Sequence, residues 1–335
     1  MPKGNRGRMG QISGVRIAAT GSYAPKEIVT NEDLAALGCD SEWIIRRTGI
    51  RERRKAAPEE ATSDLCYEAA KKCMENGNVD PEEIDLILVA TITPDHPTPS
   101  TACHLQRRLG VLAPAMDINA ACAGFMYALV TGAQFVKSGN SKCVLVIGAD
   151  VMSRTINPED KKTYPLFGDG AGAVILKPDS QSKGIASYQL GSEGCGGEML
   201  CIPSGGTRSP LTPEGYEAGK QYLLMDGRNV FKWAVRVVDD SAKQVLQHAN
   251  ISPGALDLVI LHQANQRIID SAVSDLDVQR EKVFVNLDRY GNTSGASIPL
   301  ALDEAVQSNR IKRGDQILLC GFGAGLAWGT AVVHW

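Results

Sequence analysis

The chain has 335 residues, more than the roughly 100–200 of a usual single domain, so two domains or one duplicated unit are expected. Its 35 Lys and Arg against 38 Asp and Glu leave a net charge of -3, which gives no general pull toward nucleic acid. With 43% hydrophobic residues but no apolar run near the roughly 18 residues that span a bilayer, a soluble cytoplasmic protein without a membrane partner is expected.

The first stretch, MPKGNRGRMGQ, is basic and glycine-rich, and no apolar segment follows it, so residues 1–11 read as a disordered leader. The 9 cysteines are odd in number and form no Cys-x-x-Cys pair, which suggests neither a disulfide framework nor a zinc site. Cys103-His104 has no second pair to complete a metal site.

A repeat follows. AAKKCMENGNVDPEEIDLILVATIT from Ala69 aligns without a gap with SAKQVLQHANISPGALDLVILHQAN from Ser241, an offset of about half the chain. Ala70/Ala242, Lys71/Lys243, Asn78/Asn250, Pro81/Pro253, Asp85/Asp257 and Leu86/Leu258 are identical. Each copy reads as a helix, a Pro-containing turn and an apolar run of strand length, the pattern of a strand buried on both faces. After each copy comes a strand, a small-residue turn, a helix and another strand: AMDINAACAGFMYALVTGAQFVKSG with KCVLVIGA, then VFVNLDRYGNTSGASIPLALDEAVQS with DQILLCGFGAG. An α/β fold of two similar halves, 12–180 and 181–335, is expected, with helices between and outside two mixed sheets. Gly168-Asp169-Gly170-Ala171-Gly172 and Gly321-Phe322-Gly323-Ala324-Gly325 each run into a strand-like segment and open no helix, so they are tight turns and not a dinucleotide fingerprint.

Cys122, in Ala120-Ala121-Cys122-Ala123-Gly124, sits where a buried strand ends and an apolar helix begins. Free N–H groups and the helix dipole are expected to stabilise a thiolate there. His262 ends the strand LVILHQAN, where α/β sheets present side chains to a crevice, and its repeat-mate is Ala90. Asn292 lies in the turn that matches the one bearing Cys122, so pseudo-twofold packing would bring the three together.

GSYAPKEIVTNEDL, EWIIRRTGIRER, AACAGF, LFGDGAG, HQANQRI and GNTSGASIPLALDEA resemble, in order and across nearly the whole chain, the β-ketoacyl-acyl carrier protein synthase III family of thiolase-like enzymes. The resemblance implies a five-layered αβαβα fold, a homodimer and a Cys122–His262–Asn292 triad. It further implies decarboxylative condensation of an acyl-CoA primer with malonyl-acyl carrier protein, initiating fatty acid synthesis, with no metal or redox cofactor. Backbone N–H groups of Cys122 and of Ala324, where the family usually has glycine, would form the oxyanion hole. Trp43, Arg47, Thr48, Lys161, Gly227, Phe231 and Ala264 fall on coenzyme A contacts, Lys161 standing in for a family arginine. Lys232 and Arg267 fall on carrier-protein contacts, although a lysine pair expected beyond them is Ser274-Asp275 here. Thr98 replaces a bulky phenylalanine of the partner's acyl channel, which implies primers longer than acetyl.

Four rivals stand beside this reading. A papain-like protease shares the order Cys, His, Asn. A degradative thiolase would need a second cysteine where Phe322 stands, two residues beyond Cys320. A related condensing or acyl-transfer enzyme of specialised metabolism would share the triad, and an inactive acyl-binding scaffold would lack it.

Overall fold

The computed structural model describes residues 7–335. Numbered in chain order, the strands of its two large sheets are β1 (Gly7–Ile12), β2 (Val15–Tyr23), β3 (Leu86–Ala90), β4 (Ala115–Ile118), β5 (Val144–Asp150), β6 (Gly170–Pro178), β7 (Ile185–Ser192), β8 (Leu258–Leu261), β9 (Gln316–Gly323) and β10 (Ala327–His334). Their burial follows the twofold period of an extended chain. Leu86, Leu88 and Ala90 of β3 enter a central core while Ile87 and Val89 enter an outer one, and Ile317 and Leu319 of β9 alternate in the same way with Leu318, Cys320 and Phe322.

The first sheet runs β2-β6-β5-β3-β4 and the second β1-β7-β10-β9-β8. In the first, β6 lies antiparallel between β2 and β5, and β5, β3 and β4 run parallel. The second repeats this: β10 lies antiparallel between β7 and β9, and β8 runs parallel to β9. Where the first sheet has β4, the second has a parallel bridge between Val259 and Val283.

The helices that make the layers are α1 (Thr62–Gly77), α2 (Thr101–Leu109), α3 (Gly124–Lys137), α4 (Gly227–Ala249), α5 (Gln266–Leu276) and α6 (Ser297–Gln307). α3 and α6 lie between the sheets, where Phe125, Met126, Leu129, Ile298 and Leu302 fill the central core. α1 and α2 cover the outer face of the first sheet, and α4 and α5 that of the second. The result is the five-layered αβαβα order. The aligned residues Asn78 and Asn250 do the same work, each capping its helix in the left-handed region at φ 47° and 55°.

The expectation of a disordered leader over 1–11 is corrected from Gly7 onward. Met9 pairs with Gln189 as β1 closes the edge of the second half's sheet, and Ile12 enters the central core. Ladder bonds are made by the main chain, so a basic, glycine-rich composition does not prevent them. Residues 1–6 lie outside the described residues.

Candidate active site

Two matched turns build the centre. A 3-10 turn at Ala121–Ala123 runs directly into α3, and another at Ser294–Ala296 runs into α6. Ala121 and Ser294 begin them with the same left-handed backbone, φ 47° and 51°. The turns meet: Cys122 Sγ lies 3.4 Å from Ser294 Oγ.

Cys122 is 7% exposed, and its own N–H points at its sulfur. The helix start read from sequence is present, and burial pushes the thiol up to about 12. Burial and the helix start therefore act on this thiol in opposite directions.

His262 follows β8 directly, and its N–H donates to Cys320 O at 2.8 Å. Its Nδ1 lies 2.6 Å from Ser297 Oγ, and its ring meets Phe322 edge-on at 5.1 Å. Burial pushes the imidazole down to about 3, so it is neutral at pH 7. Asn292 Oδ1 accepts the Ser294 N–H at 2.9 Å, which fixes the amide so that its NH₂ is the free end.

Cys122, His262 and Asn292 line one cavity of about 120 Å³, walled by apolar side chains including Ile92, Met152, Phe167, Leu200 and Leu223. Gly323, Ala324 and Ala264 line it too. Gly323 is required by close approach, since a Cβ there would lie 2.8 Å from Cys122 Cβ and 2.9 Å from its N.

The inner cavity shares Leu166, Met225, Gly227, Phe231 and Asn265 with an outer one of about 910 Å³, so the two adjoin. Trp43, 37% exposed, lines the outer cavity, and the Arg47 guanidinium lies 5.1 Å from its ring. Lys161 and Thr48 line it as well, but the Thr48 hydroxyl is committed to its helix end, donating to Ile44 O at 2.7 Å and accepting from Ile50 N at 3.0 Å. Lys232 and Arg267 fall on this same cavity and not on a separate face.

Sequence reasoning missed Lys162 and Arg228 at the mouth, and Ser294 and Ser297 within. With them the mouth carries Arg47, Lys161, Lys162, Arg228, Lys232 and Arg267 against the single carboxylate of Asp226. Summing charge over the whole chain hid this local excess. Thr98 is exposed in the loop before α2 and lines neither cavity of the single chain. Cys320 points into the outer core, where Thr330 Oγ1 donates to its sulfur at 3.1 Å. Phe322 lines the cavity in its place, so the second thiol of a degradative thiolase is missing from this site.

Family models match the chain in two stretches, 3-oxoacyl-[acyl-carrier-protein] synthase III at residues 116–194 and its C-terminal region at 246–335. A curated β-ketoacyl-[acyl-carrier-protein] synthase III of Rhodopirellula baltica is 70% identical over 98% of this chain and 100% of its own length. The crystal structure of 3-oxoacyl-[acyl-carrier-protein] synthase III from Aquifex aeolicus is 43% identical, with TM-score 0.89 over 96% of this chain and 100% of that one. The priming β-ketosynthase of the R1128 polyketide pathway is 36% identical, with TM-score 0.88 over 96% of this chain and 97% of its own.

Proposed function

This chain belongs to the 3-oxoacyl-[acyl-carrier-protein] synthase III family and catalyses the condensation that initiates fatty acid synthesis, and from that premise we propose that Cys122, His262 and Asn292 carry the reaction. The observation that carries this assignment is their convergence on one small apolar cavity at the end of a large cationic one.

In the first half-reaction the Cys122 sulfur attacks the thioester carbon of an acyl-CoA, its C–S bond to coenzyme A breaks, and an acyl-enzyme remains. Backbone N–H groups of Cys122 and Ala324 hold the tetrahedral oxyanion. The cationic mouth suits the phosphates of coenzyme A, with adenine on Trp43 and the pantetheine arm passing Gly227 and Phe231.

In the second, a malonyl thioester on acyl carrier protein loses carbon dioxide, and charge builds on its thioester oxygen. The free NH₂ of Asn292 and the Nε2–H of His262 face that charge. Support for this tautomer comes from Ser297: the Gln263 N–H points at its oxygen at 3.4 Å, which leaves the hydroxyl proton for Nδ1. A neutral imidazole kept from charging by burial suits a donor better than a base. The enolate carbon then attacks the acyl group on Cys122. Decarboxylation supplies the carbanion, so the sequence of steps calls for no metal or redox cofactor.

Lys232 and Arg267 would meet the acidic carrier at the same mouth that coenzyme A leaves. The cavity of about 120 Å³ and Thr98 support primers longer than acetyl, and a cytoplasmic site of action fits these substrates. No described helix is long and apolar enough to cross a membrane. A homodimer is supported by the open edge strand β4, which carries Met116, 39% exposed, and is preceded by Leu112, 101% exposed. The likeness to a polyketide priming ketosynthase favours one second reading, in which the acceptor carrier serves a specialised pathway.

The assignment is tested by separating the half-reactions. His262→Ala and Asn292→Ala should still take an acyl group from acyl-CoA but decarboxylate malonyl-carrier about 10²–10³ times more slowly. Variants that fail at acylation and decarboxylate normally would overturn the division of roles.

A further inference from the structure

The steps above leave the thiol proton of Cys122 without a destination. Among the described residues His262 is the only other titratable one lining the inner cavity; its Nδ1 is engaged by Ser297, and burial disfavours its cation. Behind the cavity wall, at the end of β5, Asp150 is 0% exposed. Its Oδ1 accepts from Thr91 Oγ1 at 2.9 Å, Ile92 N at 2.8 Å, Thr93 Oγ1 at 3.0 Å and Thr93 N at 3.2 Å. Its Oδ2 accepts from Gly295 N at 2.8 Å, which sets the neighbouring Ser294 beside the carboxylate, where its hydroxyl favours the charged form.

Ser294, 0% exposed, therefore stands between a buried carboxylate and the nucleophile, 3.4 Å from Cys122 Sγ. A hydroxyl has one proton. Donated to the carboxylate, the stronger acceptor, it leaves the oxygen lone pair for the S–H of Cys122. We propose that Ser294 and Asp150 form a proton relay that takes the thiol proton as Cys122 is acylated and returns it when the product departs.

The step rests on the acyl-enzyme reading above and balances as follows. As the Cys122 S–C bond forms, the thiol proton passes to Ser294 Oγ and the hydroxyl proton to the Asp150 carboxylate, while coenzyme A leaves as a thiolate that takes a proton from solvent through the outer cavity. In the second half-reaction the Cys122 S–C bond breaks, the sulfur keeps the electron pair, and the stored proton returns along the same path. Burial raises the Asp150 carboxyl, which favours the protonated form that the acyl-enzyme requires. Ser294 touches the reacting sulfur; Asp150 acts through it.

Ser294→Ala tests the relay without threatening the turn, because Ala121 already adopts the same backbone at the matching position of the first half. The measurement is single-turnover acylation by acyl-CoA, followed by intact mass from about pH 6 to 9, with thermal melting as a check on the fold. General-base assistance is typically worth about 10²–10⁴, so the variant should acylate about 10²-fold more slowly at pH 7 with an unchanged KM. Its rate should rise about tenfold per pH unit, because a thiol pushed up to about 12 must then ionise unaided, whereas the wild type stays nearly flat. A variant within twofold of wild type, or one slowed equally at every pH, would overturn the relay. A wild type that forms no adduct on Cys122 would remove the acyl-enzyme reading and the relay with it.

Discussion

At the scale of single residues, burial sets the chemistry. Burial pushes the His262 imidazole down to about 3 in the folded chain, against about 6.5 when unfolded. Between those values the unfolded state binds a proton that the folded state refuses, so this residue's contribution to stability is intact above about pH 6.5 and is lost as pH falls toward 3. The loss approaches about 4–5 kcal/mol. Denaturant melts of wild type and His262→Gln across that range should converge as pH falls; a constant difference would contradict the burial argument. Cys122, His262 and Asn292 were legible in the sequence because each sits at a strand end or strand-to-helix turn, positions that pattern reveals. Ser294 and Ser297 were not, because a hydroxyl's partner depends on which turn of the other half faces it. The upward pull of burial on the thiol was not legible for a related reason: a helix start is visible in sequence, whereas depth of burial is a tertiary property.

At the scale of elements, the paired turns and the helices behind them hold the site. β5 meets the turn of the second half at Gly148, where a Cβ would collide with the Gly295 carbonyl, and β6 meets α6 at Gly172, where one would collide with Leu300 N. Backbone approach this close admits only glycine. Gly148→Ala should cost about 1–3 kcal/mol by overpacking and lower the melting temperature, and it should slow catalysis by displacing the turn that carries Asn292. A variant with unchanged stability and rate would show that the turns are not held by this contact. The repeat predicted the helix, Pro turn and strand of both halves, since a helix, a Pro-containing turn and a short continuous apolar run recur in each copy. β1 escaped because its pairing follows from an open edge of β7, which no local pattern reports.

At the scale of the whole molecule, duplication explains why one site exists and not two. The pseudo-twofold places a cysteine turn from one half against a histidine and an asparagine from the other, while Ala90 occupies the place equivalent to His262. The fold class and layer order were readable from the repeat and the resemblance; the cationic mouth was not, because its residues come from separate segments of a chain with net charge -3. The edge strand β4 and exposed Leu112 predict a dimer, so Leu112→Glu should lower the sedimentation-derived mass toward that of one 35.8 kDa chain. A wild type already monomeric at micromolar concentration would end that proposal. The most direct test of the whole account is intact-mass analysis after incubation with acyl-CoA thioesters of increasing length. A single acyl adduct on wild type, extending to primers longer than acetyl and absent from Cys122→Ala, is the predicted result; an adduct that persists in Cys122→Ala, or none on either protein, would contradict it.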